Sequence, residues 1–126
     1  MANDKYPRER IPADANLFLR VHRMWIRDGE VLPGVFQNRP ETSDGGMSCD
    51  WEKYSSPEQT KQRARTPEDN GVLRFGAGGV ASLPNQRLEH DPLDDNRAHS
   101  QVFGEKTTEI RLKLKRLCVW AIPLQS

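Results

Sequence analysis

The sequence predicts a small α+β domain, in which a twisted, mostly antiparallel sheet of about four or five short strands carries a C-terminal helix packed on it. Three observations lead there. A length of 126 residues is that of one domain. Short β-favouring runs recur between stretches rich in Gly, Pro, Asn and Asp. Towards the C-terminus, a longer run of Leu, Lys, Arg and Glu places apolar residues at helical spacing. Hydrophobic residues make up 35% and charged residues 29%, so the core is small and much of the chain stays in water.

Residues 1–16 are polar, contain Pro7 and Pro12, and read as a loosely docked N-terminal arm; residues 17–122 read as the single α+β domain. Leu17–His22 is the first strand, with Leu17, Leu19 and Val21 on one face and Phe18, Arg20 and His22 on the other. Asp28-Gly29 is a turn. Glu30–Phe36 reads as a short extended piece interrupted by Pro33-Gly34. Residues 37–46 are loop by composition, and Met47–Trp51 is a short strand. Ser56-Pro57-Glu58-Gln59 forms a capping box, which starts a helix running from Pro57 to about Arg65. With almost no apolar face, that helix belongs on the surface. Asp69-Asn70-Gly71 reads as a turn and Val72–Phe75 as a strand. Gly76–Gly79 reads as a flexible turn, followed by a single helical turn over Val80–Leu83 that ends at Pro84. Arg87–His90 is extended, Asp91–Arg97 is an acidic loop, and Ala98–Phe103 is a strand closed by Gly104. Thr107–Ile122 fits both periods: Ile110, Leu112 and Leu114 alternate with basic residues, while Ile110, Leu114, Leu117 and Ala121 share a helical stripe. Its length favours a helix. The predicted core is Leu17, Leu19, Val21, Leu73, Phe75, Val102, Phe103, Ile110, Leu114 and Leu117.

Nineteen Lys and Arg stand against eighteen Asp and Glu, a net charge of +1. That balance argues against a general nucleic-acid or membrane-surface binder. No apolar run approaches the roughly 18 residues of a membrane span, so no membrane partner is expected. MANDKYPRER lacks the apolar stretch of a secretory signal, which places the expected site of action in the cytoplasm, with Cys49 and Cys118 as free thiols.

Gly76-Ala77-Gly78-Gly79-Val80-Ala81 satisfies G-x-G-x-x-A literally, but Pro84 stops the following helix too early to present its N-terminus to a pyrophosphate. No P-loop motif is present. His22, His90 and His99 make no ligand spacing, so neither a metal nor a cofactor is expected. Arg20, His22, Ser48, His90, Arg97 and His99 form a candidate ligand pocket at one sheet edge, where Arg clamps a phosphate and His acts as acid or base. Lys106, Arg111, Lys113, Lys115 and Arg116 form a candidate nucleic-acid contact, with no interleaved aromatics to stack bases. Trp25, Trp51 and Trp120 read as core or partner contacts.

The succession Leu17–His22, Met47–Trp51, His90-Asp91-Pro92-Leu93 and Asn96–Gly104 resembles a family of small bacterial proteins across roughly residues 17–122. The resemblance implies a small prokaryotic single domain that is not secreted, and implies no activity. Leu17–His22 is also similar to the first strand of ADP-ribosyl-transferring and RNA 2′-phosphotransferase folds, which hold their cofactor with an Arg or His there. No downstream catalytic Glu motif accompanies it.

The leading expectation is a non-enzymatic accessory module that binds a protein partner in a prokaryotic cytosolic system. Its low apolar content and polar loops favour that reading. The alternative is a small enzyme or ligand binder acting on a phosphate-bearing nucleotide or RNA. A second alternative is nucleic-acid contact through the basic C-terminal segment.

Overall fold

The structure, a computed structural model, describes residues 5–39 and 45–124. In chain order the strands are β1 (Asn16–His22), β2 (Ile26–Arg27), β3 (Glu30–Val31), β4 (Met47–Trp51), β5 (Asn70–Gly76), β6 (Arg87–His90), β7 (His99–Phe103) and β8 (Val119–Ile122). The helices are α1 (Pro57–Gln62), α2 (Ala77–Ala81) and α3 (Thr108–Leu117), with short 3-10 turns at Arg23–Trp25, Pro33–Val35 and Pro67–Asp69. Six strands form one sheet in the order β6-β7-β4-β1-β5-β8, every pairing antiparallel. β2 and β3 form a separate hairpin. Its two-residue turn puts Asp28 at φ 53° and Gly29 at φ 79°, the left-handed pair that matches strand twist.

The α+β class and the antiparallel sheet agree with the sequence, but the sheet has six strands rather than four or five. The additional strand comes from the C-terminal segment. α3 stops at Leu117, Cys118 turns extended (φ −91°, ψ 143°), and Val119–Ile122 pairs with β5. The helical stripe that included Ala121 is therefore wrong beyond Leu117. An open sheet edge outcompetes local helix preference there, and only tertiary contact supplies that edge. Asn70 and Gly71 likewise belong to β5, opposite His22 and Val21, with the preceding turn at Pro67–Asp69.

The Gly-rich stretch is helical rather than a flexible turn. The N–H groups of Ala77 and Gly78 donate to the carbonyls of Ala15 and Ala13, which caps α2 and ties the N-terminal segment to the sheet. Glu9 joins the same seam: Lys53 and Tyr54 donate to its carboxylate.

Strand alternation separates the sheet into two unlike faces. Leu17, Leu19, Val21, Met47, Cys49, Leu73, Phe75 and Val102 form one face, and Ile110 and Leu114 of α3, Val80 of α2 and Phe36 close over it. Eight of the ten predicted core residues are buried there. Phe103 and Leu117 are half-buried instead. Phe103 follows Val102 in an extended strand and must face the other way, where the Arg87 guanidinium lies over its ring. The opposite face carries Phe18, Arg20, Ser48, Asp50 and His99.

Candidate functional site

β1 pairs with β5 along seven residues but with β4 only at Leu17–Trp51 and Phe18–Asp50. Beyond that point β1 and β4 part. The opening lies on the polar face, and a cleft of about 710 Å³ occupies it. β1 contributes Phe18, Arg20 and His22, β4 contributes Ser48 and Asp50, and β7 contributes His99. Thr60 and Arg63 of α1 and its C-cap form one wall; Trp25 forms another, and Asn96 and Asp95 come from the loop before β7.

Asp50 organises the floor. It is buried, and its Oδ2 accepts hydrogen bonds from Thr60 Oγ1 at 2.9 Å and Arg63 at 2.8 Å. Its Oδ1 accepts from Asn96 Nδ2 at 2.9 Å. A carboxylate so occupied is an anchor rather than a base. The local sequence explains the wall: the Ser56–Gln59 capping box forms with both of its hydrogen bonds, and Pro57 starts the helix. One turn later Thr60 is 1% exposed. α1 therefore packs on the sheet through a polar contact, which its missing apolar stripe did not announce.

Arg20 donates to the Thr60 carbonyl at 3.1 Å. No carboxylate lies within ion-pair distance of it among the described residues. Burial lowers its pKa; Asp50 counteracts this and the Arg63 charge adds to it. A guanidinium remains charged through such a shift. His22 Nδ1 accepts the Met24 N–H at 3.0 Å and caps the following 3-10 turn. In the neutral ring this leaves Nε2 as the donor. His99 is the reverse case. Its Nδ1 lies 2.8 Å from the Asp91 carbonyl, which can only accept, so Nδ1 carries the proton. In the neutral ring its Nε2 then accepts from Ser48 Oγ at 3.3 Å.

The structure thus gathers Arg20, His22, Ser48 and His99 at one cleft. His90 and Arg97 lie elsewhere. His90 pairs with Ser100 in register and so faces the other side of the sheet. There its Nδ1 accepts the Glu9 N–H, its Nε2 donates to the Arg97 carbonyl, and its ring meets Trp51 and Tyr54. Arg97 lies over the Tyr54 and Tyr6 rings. Both hold the N-terminal segment in place.

The basic segment is not one surface. Lys106 is buried and donates to Asn38 and to the Val102 and Gly104 carbonyls. Lys113 pairs with Glu109 and Lys115 with Glu30. Arg111 is half-buried and Arg116 exposed. Cys49 sits in the core, where burial pushes its thiol up, and burial raises Cys118 to about 12. Neither is a thiolate at neutral pH.

Asp50, Thr60, Arg63 and Asn96 were not singled out from the sequence. Asp50 alone carried a readable signal, being an acid two residues from Ser48 and so on the same face of a strand. The other three reach it only through tertiary contact.

Among the described residues no His, Cys, Asp and Glu side chains cluster as a metal site, and no helix is long and apolar enough to cross a membrane. No family model matches the chain, and comparison with curated proteins and with solved structures returns no match.

Proposed function

We propose that the cleft binds a phosphate-bearing nucleotide. The observation that carries this reading is Arg20: a half-buried guanidinium lining the cleft, bonded to a backbone carbonyl and without a carboxylate partner among the described residues. Asp50 is engaged by Arg63, which leaves Arg20 positioned for an external anion. The Nε2–H of His22 adds a donor, and Trp25 offers an apolar wall to a base. The similarity of Leu17–His22 to a cofactor-holding strand points to the same two side chains. Convergence of four chosen residues favours a ligand site over the interaction module expected first.

Isothermal titration of AMP, ADP and NAD into the full chain tests the reading. At least one should bind saturably, and Arg20→Ala should weaken it by about tenfold or more, the worth of a charge-assisted contact. Absence of binding by all three, or an Arg20→Ala variant with unchanged affinity, would sink it.

A further inference from the structure

The Ser48–His99 contact goes further than binding. We propose that Ser48 is a nucleophile activated by His99, and that the cleft cleaves a phosphodiester or phosphoanhydride through a phosphoseryl intermediate. The substrate class rests on the nucleotide reading above; the activated serine rests on separate geometry.

Three features make the pair. Ser48 Oγ lies 3.3 Å from His99 Nε2, the unprotonated nitrogen. This is the loose contact of a resting nucleophile and base. The Asp91 carbonyl holds His99 Nδ1–H at 2.8 Å, fixing ring and tautomer. The Asp91 carboxylate stands 3.9 Å from the same nitrogen, placed by Gln101 Nε2 at 2.7 Å and Arg8 at 2.9 Å. Nucleophile, base and orienting group thus stand in series. His99 is buried while Ser48 is half-exposed at the cleft, so a substrate meets the hydroxyl and the imidazole is shielded behind it.

In the first step Ser48 Oγ bonds to phosphorus, its proton passes to His99 Nε2, and the bond from phosphorus to the leaving oxygen breaks. His99 returns that proton to the leaving oxygen. Water then attacks the phosphoserine, giving a proton to His99 Nε2, which protonates Ser48 Oγ as the Oγ–P bond breaks. The net reaction consumes one water. Arg20 in the same cleft stabilises the charge on the phosphoryl oxygens.

A fluorophosphonate probe tests the nucleophile directly, because attack by Ser48 expels fluoride and leaves a stable adduct. Incubated with the full chain, it should give one adduct by intact mass, mapped by peptide mass spectrometry to Ser48, and none in Ser48→Ala. His99→Ala should slow labelling by about a hundredfold, with imidazole in the buffer restoring much of it. His99→Asn, which keeps more of the side-chain bulk, should be equally slow if His99→Ala fails to fold. Wild-type chain unlabelled at Ser48, a folded His99 variant labelled at the wild-type rate, or a loss that imidazole leaves unrepaired would each overturn the pair. Labelling of Ser48 in a chain that binds no nucleotide would remove the proposed ligand and keep the activated serine; nucleotide binding with an inert Ser48 would do the reverse.

Discussion

Lys106 shows how a single side chain can close one end of a sheet. The residue is 8% exposed, and its ammonium donates to Asn38 Oδ1 at 2.7 Å, the Val102 carbonyl at 3.0 Å and the Gly104 carbonyl at 2.6 Å. Gly104 makes this possible at φ 122°, where a Cβ would lie 2.1 Å from the Asn85 carbonyl oxygen. Burial lowers the Lys106 pKa to about 8, with the nearby Cys49 opposing. The unfolded chain, at about 10.5, therefore holds more proton across that window. Stability should rise as pH increases from about 8 to 10.5, by up to about 3 kcal/mol from this residue. Urea denaturation at several pH values checks it: wild type should show this rise, and Lys106→Met should lack it. Equal slopes in both proteins would show that the lysine titrates as it does in water. From the sequence, Lys106 read as one of five surface cations; nothing in its neighbours Glu105 and Thr107 marks it as buried.

At the scale of elements, α1 is short and lacks an apolar face, so its position depends on its ends. Ser56 caps the first turn, and Thr60 and Arg63 reach Asp50. Removing the cap with Ser56→Ala should cost about 1 kcal/mol. The same change should loosen the wall of the cleft, so amide exchange of Thr60 and Arg63 should quicken more than that of β7. Uniform exchange across both elements would separate the cap from the site. The capping box was legible because its chemistry is local: a hydroxyl, an amide and two backbone N–H groups within four residues. The end of α3 was not. Arg116-Leu117-Cys118-Val119 contains no Gly or Pro stop signal, and the strand after it exists because β5 has an unpaired edge.

For the whole molecule, the two faces of the sheet separate the apolar core from the proposed site. Leu114 is 1% exposed in the core beneath α3, and Leu114→Ala should cost about 2–5 kcal/mol. Ser48→Ala, on the other face, removes one hydroxyl contact and should cost about 1 kcal/mol or less. Thermal and urea unfolding of both variants should separate them clearly. Comparable losses would mean that the polar face carries folding energy as the apolar face does.

The alternation over Leu17–His22 and the short strands Met47–Trp51 and Val72–Phe75 were readable because side-chain period and β preference are properties of neighbouring residues. From them come the strands, half of the predicted core and the placing of Arg20 and His22 together on the polar face; the helical spacing of Ile110 and Leu114 adds the helix and completes the α+β class. The strand order, the parting of β1 from β4 and the meeting of Ser48 with His99 depend on residues far apart in the chain. Such contacts form only when the apolar face is buried against α2 and α3, and that packing decides which polar groups end up side by side.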